Sequence, residues 1–182
     1  MATKWSEQVH TLQTQFEGSI PSAAYLLCDR HNQEQVALYY ENAYGSKQAY
    51  TYGELHYLSA KFAGVLRQLN VQKGDRVATL LPKGPELIIS VLALWRLGAI
   101  HVPLFTAFGP QAISYRLENS GACLIITDTN NQPKLAGIEM LAGSSSNDRV
   151  IIVEPGETEN AGGCHSGGRL KKPNQLPKAL AF

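Results

Sequence analysis

Arg76-Val77-Ala78-Thr79-Leu80-Leu81-Pro82-Lys83-Gly84-Pro85-Glu86 decides the fold class, because it reads as a buried strand turning into a helix. Val77, Ala78, Leu80 and Leu81 suit a covered strand over 76–81. Pro85 has the fixed φ favoured at a first helical position, and Glu86 complements the helix dipole. Gly98 then closes the apolar run Leu87 to Leu97 as a left-handed cap. A second strand follows over Ile100 to Leu104, and Gly109-Pro110 opens a helix to about Asn119, with Gly121 just past its end. Cys123 to Thr127 is a continuously apolar run of the kind found in strands covered on both faces. Strand, helix, strand, helix, strand in this order predicts an α/β fold, with a mostly parallel sheet flanked by helices and right-handed crossovers.

Upstream, Asn70 to Asp75 reads as a polar turn, preceded by the clearest helix, Gly53 to Leu69. Leu55, Leu58, Phe62, Val65, Leu66 and Leu69 recur there at spacings of three and four. Thr51 and Glu54 have the spacing of a capping box, in which each side chain satisfies a backbone N–H left unpaired by the first turn. Val36 to Tyr40 is expected as an additional edge strand paired with Lys47 to Thr51. Val150 to Val153 is expected as a last strand, while Glu154 to Phe182, rich in Gly, Pro, Asn and Lys, reads as a disordered tail. The expected organisation is a partly helical leader over 1–25, an α/β subdomain over 26–153 and the tail over 154–182.

The chain of 182 residues is 44% apolar and 17% charged, ordinary globular composition. A formal net charge of +1 supplies no broad attraction for nucleic acid or an anionic membrane, so neither is expected as a partner. Leu87 to Trp95, the longest strongly apolar run, is far short of the roughly 20 residues that span a bilayer. Met1 to Gly18 lacks the basic start and unbroken apolar stretch of a secretory signal, so the cytoplasm is the expected location. The three cysteines, Cys28, Cys123 and Cys164, show no Cys-x-x-Cys spacing and support neither a disulfide framework nor zinc.

Four stretches in order resemble the first third of the AMP-forming acyl-CoA synthetases, in the adenylate-forming AMP-dependent synthetase/ligase superfamily. They are Tyr50-Thr51-Tyr52-Gly53-Glu54-Leu55; Gly74-Asp75-Arg76-Val77-Ala78 with Leu81-Pro82-Lys83; Ala93-Leu94-Trp95-Arg96-Leu97-Gly98-Ala99; and Val102-Pro103-Leu104-Phe105-Thr106-Ala107-Phe108-Gly109-Pro110. The resemblance covers about Leu26 to Leu135, and Val102 to Pro110 is similar to the acetate, propionate and medium-chain branch. It implies the first α/β subdomain of such an enzyme and a place in carboxylic and fatty acid metabolism. By this resemblance the family reaction joins a small carboxylic acid to CoA through an acyl-adenylate, using ATP, Mg and CoA and releasing pyrophosphate and AMP. Bringing two anions together at a phosphorus requires backbone donors, cationic side chains and a metal ion. The family supplies them from a Thr/Ser/Gly-rich loop ending Pro-Lys-Gly, an acidic residue on the ribose and a Lys on a mobile domain, none of which stands in this sequence. The expectation is therefore a truncated N-terminal portion, without cofactors of its own, without catalytic residues and inactive alone.

Two stretches mimic such loops. Gly162-Gly163-Cys164-His165-Ser166-Gly167-Gly168-Arg169 lacks the Lys-Ser or Lys-Thr and the following capped helix of a phosphate loop, and Ser144-Ser145-Ser146 has no Pro-Lys-Gly after it. Cys123 reads as an inert core thiol, His101 as structural and His56 as a solvated residue on the polar side of its helix. The candidate binding residues are Phe105, Thr106, Ala107 and Phe108, at the end of an expected parallel strand, where open α/β sheets place ligands. In related acetyl-CoA synthetases the corresponding turn borders the CoA phosphopantetheine, with a Gly-Gly pair where Thr106-Ala107 stands here. Lys134 lies near an Arg that those relatives aim at the CoA phosphates. No metal-binding residues are expected. A competing expectation is a non-catalytic module docking a protein partner, such as a full-length synthetase, through an exposed apolar face. A flavodoxin-like nucleotide binder is disfavoured by the lack of a Gly-rich strand-to-helix turn with a following acid.

Overall fold

The computed structural model describes residues 4–16, 22–138, 149–153, 169–171 and 180–181. In chain order the elements are helix α1 (Lys4–Phe16), a π-helical turn (Tyr25–Asp29), strands β1 (Val36–Glu41) and β2 (Lys47–Thr51), and helix α2 (Tyr52–Gln68). Then come β3 (Arg76–Leu80), α3 (Pro85–Arg96), β4 (Ile100–Pro103), α4 (Pro110–Ser120), β5 (Leu124–Asp128), a 3-10 turn (Gln132–Leu135) and β6 (Val150–Val153). Two short strands, β7 (Arg169–Lys171) and β8 (Leu180–Ala181), complete the main sheet, whose order is β4-β3-β5-β6-β7-β8.

Strands β3 to β6 run parallel, with Val77 opposite both His101 and Leu124, and Ile126 opposite Ile151. Strict alternation along each strand divides the core in two. Val77, Leu124, Ile126, Ile151 and Val153 join Leu55, Leu58, Phe62 and Leu66 of α2 and Ile89, Leu92 and Leu94 of α3. Ala78, Leu80 and Ile125 instead meet Ile113 and Leu117 of α4, Leu104 and Leu135. The sheet is thus sandwiched, with α2 and α3 on one face and α4 on the other. Both apolar faces explain why β5 is buried from end to end.

The local signals behave as their chemistry requires. Thr51 Oγ1 accepts from the Glu54 N–H at 3.1 Å, and Glu54 Oε2 accepts from the Thr51 N–H at 2.8 Å, so both halves of the capping box form. Gly121 ends α4 at φ 60°, and its carbonyl accepts from Arg76 Nη2 at 3.0 Å, tying the helix end to the start of β3.

One expectation is corrected, although Val36–Tyr40 does pair with Lys47–Thr51. The Val36–Tyr40 stretch does not extend the main sheet as an edge strand: β1 and β2 form their own two-stranded antiparallel sheet. The hairpin is anchored to the start of α2, where the Tyr52 and Gly53 N–H groups donate to the Gln35 and Gln33 carbonyls at 3.0 and 2.9 Å. Within the expected tail, β7 and β8 pair antiparallel beyond β6. The rest of 154–182 lies outside the described residues, as do both loop mimics apart from Arg169, and Cys164-His165. The expected helicity of the leader is present over Lys4–Phe16, and no helix among the described residues is long and apolar enough to cross a membrane.

Candidate functional site

The connections leaving β3 and β5, neighbours in the sheet, depart in opposite directions: β3 leads outward to β4, whereas β5 leads to β6 on the other side. Such a switch point leaves a crevice beyond the carboxyl ends of the strands, the usual ligand position in open α/β sheets. Three turns border it, 81–84 after β3, 104–109 after β4 and 129–131 after β5.

The 104–109 turn carries four of the five candidates expected from sequence. Its first residue is held by the Leu104 N–H donating to the Thr79 carbonyl at 2.9 Å, and it is closed by the Phe108 N–H donating to the Phe105 carbonyl at 3.0 Å. The Phe105 and Phe108 rings meet edge to face at 5.8 Å. Phe108 packs against the core beside α4 and lies under the Arg116 guanidinium, 4.0 Å from the ring centroid. Phe105 is 62% exposed, so only one member of the pair is a packing residue. Ala107 is exposed at the tip.

Lys134, the fifth candidate, comes from the 3-10 turn after β5, yet its ammonium donates to the Thr106 carbonyl. It also donates to Asn131 Oδ1 at 2.8 Å. Asn131 in turn donates to Asp128 Oδ1 twice, through its backbone N–H at 2.8 Å and Nδ2 at 2.7 Å. Asp128 and Asn131 are both buried. The structure therefore brings Thr106 and Lys134 together and adds two residues, Asp128 and Asn131, that the sequence reading missed. The spacing Asp128-x-x-Asn131-x-x-Lys134 is the one linear signal for them, since it sets three polar groups along a single tight turn.

A second carboxylate faces the same region. Burial pushes the Glu86 carboxyl above its ordinary range, and the Asp128 charge adds to the push. Glu86 in turn helps raise the Tyr50 phenol to about 12, although burial is the larger cause there. The crevice thus holds carboxylates on the β3 and β5 sides, with the Lys134 ammonium between the second and third turns and Lys83 exposed in the first. Two of the three ammonium donors of Lys134 are engaged within the protein. Among the described residues no group of three or more His, Cys, Asp or Glu side chains is placed to hold a metal ion.

The remaining chemistry-bearing side chains belong to structural contacts. His101 is hydrogen-bonded to the buried Thr79 hydroxyl at 2.8 Å, and burial lowers its pKa, which keeps it neutral. His56 corrects the expectation of a merely solvated residue, because its Nδ1 lies 2.9 Å from Asp29 Oδ1. Cys123 corrects the expectation of a core thiol: the strand begins one residue later, at Leu124, and Cys123 is exposed. Partial burial and the Asp75 carboxylate nevertheless hold its thiol above the ordinary range, away from thiolate reactivity.

With fold and crevice described, the likeness to known proteins becomes specific. Residues 28–179 match the family described as AMP-binding enzyme. The chain belongs to this family. It is 39% identical over 131 residues to the 3-hydroxypropionyl-coenzyme A synthetase of Sulfurisphaera tokodaii, covering 70% of this chain and 18% of that protein. It is 38% identical over 115 residues to the acetyl-coenzyme A synthetase of Campylobacter jejuni, covering 62% of this chain and 18% of that protein. The crystal structure of an acyl-CoA synthetase from Brucella canis superposes with a TM-score of 0.64 at 31% identity, over 76% of this chain and 32% of that one. This AMP-binding enzyme family member therefore spans less than a fifth of the length of those two curated relatives, matching them as an N-terminal portion of an AMP-forming synthetase.

Proposed function

We propose that the chain provides the first α/β lobe of an AMP-forming acyl-CoA synthetase for a small carboxylic acid, and that its sheet edge forms part of the CoA side of the site. The single observation that carries this reading is the Lys134 to Thr106 contact, which joins turns from two strands across the crevice. Phe105 supports it by offering an exposed aromatic face, and Ala107 by leaving the tip of the turn open to a slender thiol-bearing arm. The electrostatics argue against phosphoryl chemistry by these residues alone. Glu86 and Asp128 add negative charge where a triphosphate would need cations, and the Lys134 ammonium is already engaged. ATP, Mg and the acyl group are accordingly assigned to parts of such an enzyme other than this lobe. The free thiols of Cys28 and Cys123 fit a reducing compartment, and we place the chain in the cytoplasm.

Carboxylate-dependent exchange of labelled pyrophosphate into ATP tests the division of labour. No exchange above background is expected for the 182 residues with acetate or propionate, and exchange at enzymatic rates would overturn it. A second reading, a non-catalytic module that docks a protein partner, is favoured by the outer edge of β4, which no described strand pairs and where Ile100 is half-exposed. Light scattering separates the two, since a monodisperse monomer that binds no hydrophobic dye counts against the module.

A further inference from the structure

The Lys134 ammonium bridges two turns at the carboxyl edge of the sheet. It is half-buried, donates to the Thr106 carbonyl and is held from behind by Asn131 Oδ1 at 2.8 Å. The orientation of that amide is dictated by its neighbours. Asp128 Oδ1 takes Nδ2 at 2.7 Å and the Asn131 backbone N–H at 2.8 Å, so a flipped amide would set an oxygen against the carboxylate and an NH₂ against the ammonium. Burial of Asp128 and Asn131 strengthens each of these contacts and makes their loss costly. Charge therefore passes from the Asp128 carboxylate through the Asn131 dipole to the Lys134 ammonium, which closes on a carbonyl 28 residues away in the chain.

We propose that Asn131 and Lys134 are positioning residues: together they clamp the Thr106 carbonyl and set the shape of the 105–108 turn, and Lys134 is not a ligand of the CoA phosphates. This rests on the CoA-side reading above for its functional consequence, but the clamp itself does not. The two ends of the turn are fixed by other contacts, Leu104 through its N–H to the Thr79 carbonyl and Phe108 through its packing on the core and under Arg116. Between them Phe105 and Ala107 are exposed, and the Lys134 bond to Thr106 ties down the middle. The Lys134 bond joins its middle to the end of β5, the best-buried strand.

The test uses the full chain and three variants. Lys134→Met keeps the aliphatic stem and leaves the Asp128–Asn131 bonds in place, Asn131→Leu removes the amide, and Lys134→Arg restores a donor. Hydrogen exchange of the Phe108 amide, which donates to the Phe105 carbonyl across the turn, is expected to accelerate about tenfold or more in Lys134→Met and Asn131→Leu, with the Ile125 and Ile126 amides unchanged, and to return toward the parent in Lys134→Arg. Calorimetric titration with CoA and with pantetheine, which carries no phosphate, is expected to show both weakened by the same factor in Lys134→Met. Unchanged exchange of the Phe108 amide in Lys134→Met would overturn the clamp, as would a loss confined to CoA with pantetheine unaffected. If the unaltered chain binds neither compound, the CoA-side reading fails, and the exchange rates alone decide whether Lys134 and Asn131 hold the turn.

Discussion

Asp29 lies where the π-helical turn meets α2 and α3, and it accepts from both terminal guanidinium nitrogens of Arg96, Nη1 at 2.6 Å and Nη2 at 2.5 Å. Arg96 Nε donates to the buried Ser59 hydroxyl at 2.9 Å, and His56 approaches the same carboxylate. Burial by itself would raise the Asp29 pKa, but the hydrogen bonds from Arg96 and His56 outweigh it and hold the carboxyl below its ordinary value. The sign follows: Asp29 contributes stability above the unfolded carboxyl pKa of about 4 and loses it as pH falls through the lower folded value. Urea midpoints for the parent and Asp29→Asn should therefore differ most at neutral pH and converge on acidification, and a gap that stays constant would contradict the linkage. Arg96→Ala leaves the carboxylate without its fork and is expected to cost about 3 kcal/mol at pH 7, read from the same urea curves.

At the scale of elements, the junction of β2 and α2 shows how a short motif serves two partners. Thr51 and Glu54 cap the helix, while Gly53 lets the chain pass close to the start of the hairpin. A Cβ built on Gly53 would stand 2.9 Å from the Gln33 carbonyl oxygen, whose partner is the Gly53 N–H itself. Gly53→Ala must push that backbone away, and is expected to cost about 1–3 kcal/mol and to speed exchange of the Tyr52 amide. Thermal melts and exchange on the variant check both, and a neutral Gly53→Ala would mean that the hairpin is not docked through this contact. His31 stacks on Tyr52 at 4.5 Å in the same junction, so loosening it would be felt on both sides of the motif. The capping box and the apolar stripe of α2 were legible because they are local: three- and four-residue spacings appear directly in the sequence. The independence of the hairpin was not, since strand periodicity says nothing about which sheet a strand enters.

For the molecule as a whole, the two apolar layers around the sheet are the source of stability, and the carboxyl edge is where polar groups collect. Ile126 is fully buried on the face shared with α2 and α3, while the 104–109 turn packs with the opposite layer. Ile126→Ala is expected to remove about 2–5 kcal/mol, lowering the denaturant midpoint with an unchanged slope. Because that side chain is on the other face from the turn, CoA affinity measured under folding conditions should stay within about twofold of the parent. A large loss of affinity in a folded Ile126→Ala chain would show that the edge depends on the whole sandwich.

The sequence by itself determined the order of strands and helices from 47 to 128, the faces they bury and the family they belong to, because strand runs, helical stripes, caps and the four motifs are all written within a few residues of one another. It also pointed to the 105–108 turn and to Lys134. Only the tertiary structure decided that Lys134 reaches Thr106, 28 residues away, and that Arg96 grips Asp29 across 67. The first pair exists because parallel pairing places β3 between β4 and β5 and aligns their carboxyl ends, and the second because the π-helical turn packs with α2 and α3 on one face of the sheet; both are long-range outcomes of packing that no local spacing encodes.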